Sequence, residues 1–150
     1  LIIETKYSGP TEINPDNIIQ FDQGLPSFEE EKAFILLPFS DEPGPFYILQ
    51  STVTPGLAFA VMTPFSFFPD YEVKLSNQLL ETLDITNEQD VALFTVLTLK
   101  ETIEESTANL RGPIVINTAR KKGKQIVMND SGYETKHSLK QPAASGKKEG

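Results

Sequence analysis

The side chains that could do chemistry are few and poorly arranged for it. His137 is the only histidine, and cysteine is absent; this removes disulfides, thiolate metal sites and cysteine nucleophiles together. His137 sits among lysines in the segment 134–139, far along the chain from any Ser–Asp pairing, and reads as a surface or packing residue rather than a catalytic base. Glu29, Glu30 and Glu31 are three adjacent carboxylates. Consecutive side chains diverge on a helix or a strand, so they converge poorly on one cation and read as a solvated or partner-facing surface. Asp70 and Glu72 are a carboxylate pair of the kind glycoside hydrolysis uses, but the sequence offers no aromatic-lined cleft beside them. No nucleophile elbow, phosphate loop or dinucleotide fingerprint appears. These residues predict no enzyme, no cofactor and no bound metal.

The remaining cluster is basic: Arg120, Lys121, Lys122 and Lys124. A loop carrying four such charges, 120–124, could touch phosphates, which makes a β-barrel nucleic-acid-binding module the alternative reading. The charge of the whole chain argues against it. The net formal charge is −8, and it is divided unevenly. Residues 1–118 carry 18 acidic and 5 basic side chains, whereas residues 119–150 carry 3 acidic and 8 basic. Such an acidic body repels nucleic acid and attracts basic protein partners through a field that salt weakens.

The elements that must position these residues are short. The chain of 150 residues, 39% hydrophobic and 23% charged, has the length and composition of one globular domain with one core. No apolar run approaches the ~18 residues of a membrane-spanning helix. Apolar stretches at Leu1–Tyr7, Ile18–Phe21, Ala33–Leu37, Phe46–Ser51, Leu57–Met62 and Val91–Leu99 alternate with turn residues, and the 11 prolines punctuate them. The fold class expected is mostly β, a small antiparallel β-barrel-like or sandwich domain with one short α-helix. That helix is Asn77–Leu83, with Ser76 as its N-cap, Leu75 placed to staple onto Leu80, and Leu79, Leu80 and Leu83 on one face. Capping-box patterns at Ser27/Glu30 and Thr86/Gln89 suggest further helical turns. Phe65, Phe67 and Phe68 read as core. Alternation after them sends Asp70 and Glu72 to one strand face and Tyr71 and Val73 to the other, with Tyr71 a contact residue at a sheet rim.

The segment 107–130 organises the end of the chain. Ile114–Val115–Ile116 and Ile126–Val127–Met128 read as paired strands, with the polar loop Asn117–Gln125 between them and Gly123 supplying a positive φ. Which alternate set of these apolar residues faces the core stays open. After His137 the composition turns to Ser, Lys, Gly, Ala and Pro, so a domain over 1–137 and a flexible tail over 138–150 are expected.

Several blocks in order carry a resemblance: IIETKY, QGLPSFEEEKAFILLP, FFPDYE, ANLRGPIVIN with the following KGKQ, and TKHSL. Together they resemble the flagellar assembly factor FliW family across about residues 2–139. Two positions depart from its pattern, Ser27 where Gly or Ala is usual and Gly112 where Ala is common. The resemblance implies a cytoplasmic protein that binds flagellin and also the translational repressor CsrA, a small RNA-binding dimer with a basic surface that silences flagellin mRNA. Secretion of flagellin would free the factor to sequester CsrA and relieve that repression. It implies no direct contact with nucleic acid and none with membrane. Charge and resemblance together make Glu29, Glu30, Glu31, Asp70, Tyr71, Glu72, Asn109 and Arg111 the candidate partner-binding residues.

Overall fold

Strands β4 (Ala33–Pro38), β5 (Phe46–Ser51) and β6 (Ala58–Met62) form an antiparallel meander in which Leu36 faces Leu49 and Leu49 faces Phe59. The computed structural model describes residues 1–129 and 131–140. Strand β7 (Val91–Thr98) continues the meander through Val61↔Val96, and β9 (Ile114–Asn117) pairs with β7 through Leu93↔Val115. Strand β10 (Lys122–Gln125) returns antiparallel to β9 and meets β3 (Ile19–Gln20) at one parallel contact, Lys122↔Gln20. Because β3 also pairs with β4, the sheet closes on itself as a barrel of seven strands. Closure largely removes the exposed edges that an open sheet would have to protect. The barrel alternative is therefore realised, and the sandwich is not.

Period-two alternation fills the barrel. Phe21, Phe34, Leu49, Val61, Phe94, Ile114 and Ile116 form its interior, with the Phe21 and Phe34 rings edge to face at 5.4 Å. Between Ile114 and Ile116, Val115 points to the opposite face, beneath the helix α1 (Asn77–Thr82). All three are buried, so β9 has no solvent face and both alternate sets are core.

Helix α1 starts as its sequence predicts, with the Ser76 hydroxyl accepting from Leu79 N–H at 3.1 Å. Leu79 and Leu83 pack with Val115, and Leu75, Leu93 and Ile126 surround them. Leu80 is half-buried outside that cluster, which leaves Leu75 packing on Leu79 and Leu83. Asp84 ends the helix at φ 54°, with Asp84 N–H donating to Glu81 O and Ile85 N–H to Leu80 O, the paired bonds of a Schellman ending.

Smaller elements complete the fold. A separate hairpin of β1 (Ile2–Thr5) and β2 (Gly9–Glu12) packs Ile3 against Ile13 and Ile35. Two-residue strands β8 (Thr107–Ala108) and β11 (His137–Ser138) extend the sheet from the end of β7. Ser138 pairs with Thr107 and Leu139 is buried in a second core with Tyr71, Leu97 and Leu110, so ordered structure continues past 137. Residues 141–150 of the expected tail lie outside the described residues.

Four local expectations are corrected. The stretch after Ser27 is not helical: Leu25, Pro26, Ser27 and Phe28 form a tight turn closed by Phe28 N–H to Leu25 O at 2.7 Å. Ser27 takes φ 70° there, the position of a type II turn that favours glycine. The 3-10 turn at Glu88–Asp90 is capped by Asn87, not by Thr86. Asp70–Val73 is not a strand, because the backbone folds back after the 3-10 turn Pro64–Ser66 and Tyr71 N–H donates to Phe68 O.

The fourth correction concerns the hairpin. The partner of β9 is the polar run Lys122–Gln125, and Ile126–Met128 lies beyond the strand. Lys121, at φ 56°, makes the positive-φ turn, while Gly123 sits within β10. A Cβ on Gly123 would lie 2.7 Å from the Phe21 ring, so glycine is needed for close approach rather than for turning.

Candidate functional site

The FFPDYE segment is held from the centre outward by Tyr71. Its ring is 4% exposed, and its hydroxyl donates to Leu110 O at 2.6 Å. Tyr133 packs edge to face on it with centroids 4.8 Å apart, and the Tyr133 hydroxyl accepts from Glu72 N–H at 3.2 Å. Burial, and to a lesser degree the neighbouring Tyr133, push the Tyr71 hydroxyl well above the usual tyrosine range. Tyr71 is therefore a packing residue, and its expected role as an exposed contact is corrected: nothing can reach the ring without opening the second core. Phe67 and Phe68 are half-buried in that core, but Phe65 is exposed, contrary to its expected burial.

A titration test follows. The folded state keeps Tyr71 protonated above pH ~10, where the unfolded chain begins to lose that proton. The unfolded state then binds fewer protons, so stability falls as pH rises, by up to ~1.4 kcal/mol per pH unit from this group. Urea unfolding from pH 8 to 11 should show a steeper decline in the wild type than in Tyr71→Phe. Parallel curves would disprove it.

Asp70 and Glu72 flank Tyr71 on either side and are both exposed. The loop 109–112 lies against the same tyrosine through Leu110. Asn109 Oδ1 accepts from Arg111 N–H at 3.1 Å and Gly112 N–H at 2.9 Å, which fixes the loop. The Arg111 guanidinium donates to Asn129 O at 3.3 Å, and its backbone N–H donates to Glu134 O. At Gly112 an added Cβ would press within 3.0 Å of Gln125 Nε2, whose amide donates to Gly112 O at 2.8 Å. Glycine thus leaves room for that link. Asp70, Glu72, Asn109 and Arg111 are brought together around Tyr71.

The other three candidates are not part of this region. Glu29 and Glu30 are exposed, with Glu29 Oε2 accepting from Ser27 N–H. Glu31 is turned inward: its two carboxylate oxygens accept from Ser51 Oγ at 2.8 Å and Thr54 Oγ1 at 2.7 Å. It ties the segment leading into β4 to the end of β5 and the turn that follows, and its expected surface role is corrected. No spacing in the sequence distinguished it from its neighbours.

His137 Nε2 accepts from Glu134 N–H at 2.8 Å, and its ring packs on Phe68 and Tyr133. The basic cluster is divided. Lys122 Nζ pairs with Asp84 at 2.7 Å, which holds the Asp84 carboxyl below its usual range and raises the lysine. Lys122 and Lys124 belong to β10, so only Arg120 and Lys121 occupy the turn. The four charges do not form the single loop that the nucleic-acid alternative required. No group of three or more metal-ligating side chains occurs among the described residues, and none of their helices is long and apolar enough to cross a membrane.

A seven-stranded barrel with a single α-helix packed on it and a tyrosine-centred loop junction defines the class, a small mostly-β barrel. A solved chain described as the crystal structure of the flagellar assembly factor FliW superposes with a TM-score of 0.87 at 48% identity, covering 93% of this chain and 96% of that one. The family described as FliW protein matches residues 2–139. The flagellar assembly factor FliW of Geobacillus kaustophilus (strain HTA426) is 50% identical over 137 residues, 91% of this chain and 94% of that protein. Its counterpart in Bacillus subtilis (strain 168) is 48% identical over 139 residues, 93% of this chain and 96% of that protein. The chain belongs to the FliW family, which is named for assembly and not for a reaction.

Proposed function

We propose that this chain is a non-enzymatic flagellar assembly factor of the cytoplasm that binds flagellin and, when flagellin is absent, sequesters the translational repressor CsrA, relieving repression of flagellin mRNA. Family membership gives the assembly role. The observation that carries the repressor half is the acidity of the body, 18 acidic against 5 basic side chains over residues 1–118. Exposed Asp70 and Glu72, held by the buried Tyr71, supply two of those charges in a fixed geometry. Asn109 and Arg111 flank Leu110, whose carbonyl accepts from the Tyr71 hydroxyl. A body of this sign docked beside an RNA-binding surface repels phosphate whether or not it covers that surface.

Surface plasmon resonance against CsrA and against flagellin tests the reading. The CsrA on-rate should fall about ten-fold as the Debye length shrinks from ~10 Å at 0.1 M salt to ~3 Å at 1 M. Asp70→Lys with Glu72→Lys should slow CsrA association further, while stability changes by no more than ~0.5 kcal/mol, since both positions are exposed. A CsrA on-rate indifferent to salt and to both reversals would mean the acidity serves solubility alone.

A further inference from the structure

Beside α1 the barrel carries an open groove of about 690 Å³. Leu79 of the helix forms one wall, and Lys124, Ile126, Val127 and Met128 form the opposite one. The second wall carries the edge of β10 past its last residue, Gln125. Ile126 N–H donates to Pro113 O at 3.0 Å and Met128 N–H to Arg111 O at 2.8 Å, continuing the register in which Lys122 faces Asn117 and Lys124 faces Val115. In an antiparallel ladder alternate residues turn their backbone groups to opposite sides. Gln125 and Val127 therefore turn theirs away from β9. On that side β3 reaches only as far as Lys122, and neither N–H has an acceptor among the described residues. Val127 is also 61% exposed. Pairing on this side of β10 stops at Lys122, and the groove runs beside the stretch that follows.

Charge narrows what could fill it. Lys74, Lys124 and Glu72 line the groove, two cations against one carboxylate. Neither lysine is in an ion pair among the described residues, and Lys74 is one of only five basic side chains in residues 1–118. An acidic protein thus presents two lysines at a groove of mixed polar and apolar lining, bordered by unpaired backbone donors.

We propose that this groove is a strand-addition site for an extended protein segment that carries apolar side chains flanked by carboxylates. The segment's backbone carbonyls accept from Gln125 and Val127, extending the sheet beyond β10. Side chains on its groove face meet Lys124, then Ile126 and Met128, so a carboxylate is followed by apolar residues along that face. The inference rests on the partner-binding reading only in taking the occupant to be protein. It assigns that occupant a groove that shares Glu72 with the acidic face and differs from it in its lysines and backbone donors.

A capped heptapeptide with glutamate, valine, valine and glutamate at its odd positions, and threonine at its even ones, is the probe. Its control has lysine in place of both glutamates. Titrated into the whole protein, the glutamate peptide should bind at least ten-fold tighter than the control. It should also slow amide exchange at Gln125 and Val127. Val127→Pro, which deletes one donor at an outward-facing position, should weaken binding roughly three- to ten-fold. Lys74→Glu with Lys124→Glu, which leaves the backbone donors in place, should reverse the preference between peptides. No binding of the glutamate peptide, equal affinity for both peptides, or protection elsewhere on the barrel overturns the proposal. Should Val127→Pro fail to fold, the lysine reversals and the exchange pattern decide alone. Failure to bind CsrA or flagellin in the resonance experiment would leave a positive peptide result intact, so the two readings fail separately.

Discussion

Replacing Ile116 with alanine should lower the free energy of unfolding by about 2–5 kcal/mol, through lost burial and the cavity left behind. Ile116 is 2% exposed, lies inside the barrel with Phe21 and Phe94, and faces Gly123 across the ladder. Gly123 has no side chain to move into the gap, and the Phe21 ring is already against its backbone. The site therefore collapses poorly, which places the cost toward the upper part of the range. Val127→Ala is the control: 61% exposed and only 11 residues further along the chain, it should change stability by no more than ~0.5 kcal/mol. Urea unfolding with an unchanged m-value measures both. A loss below ~0.5 kcal/mol at Ile116 would mean the barrel is not closed there.

The same pair of positions shows why the late hairpin was only half legible. Two apolar runs nine residues apart are a good hairpin signal, and the first run is indeed β9. The second strand is polar because its inward position needs no bulk: Phe21 from another strand's end fills the space over Gly123. Its outward positions, Lys122 and Lys124, can then be charged. The apolar run that follows serves two other cores, Ile126 beneath the helix and Met128 beside Tyr71. Periodicity along one segment cannot reveal a side chain supplied from a hundred residues earlier. Where the filling is local the reading succeeded, as for β5 over Phe46–Ser51 and the Ser76 cap.

The candidate site divides along a similar line. Asp70 and Glu72 were legible as an exposed pair, because turn-rich, charged sequence stays at the surface. Tyr71 between them was misread, since its burial depends on the Leu110 carbonyl 39 residues away. Glu31 could not be told from Glu29 and Glu30, as only the positions of Ser51 and Thr54 select it. The groove was invisible in the sequence. Its strand edge is unpaired because β3 meets β10 only at Lys122, a register that local periodicity does not reveal.

Asn117→Ala should cost about 2–4 kcal/mol, more than a polar-to-alanine change at a strand end ordinarily would. Asn117 is 1% exposed and makes four hydrogen bonds. Its Nδ2 donates to Leu83 O at 2.7 Å and Asp84 O at 3.0 Å, carbonyls at the end of α1 that have no later helical turn to bond. Its Oδ1 accepts from Ala119 N–H and Arg120 N–H, which shapes the turn from β9 into β10. One side chain thus fastens the helix end to the turn, and alanine would leave both halves unsatisfied in a region water enters poorly. Asn117→Asp separates the halves. It keeps the acceptor for the turn but sets a carboxylate against two carbonyl oxygens. Repulsion and burial would raise the pKa of that carboxyl above its unfolded value. The Asp variant's deficit should therefore shrink as pH falls toward 4, because the folded state holds the added proton more tightly. Amide exchange should show α1 opening more readily in both variants, with the β9–β10 turn loosened only by alanine. If both variants unfold within ~0.5 kcal/mol of the wild type at pH 7, Asn117 is not what couples the helix to the barrel.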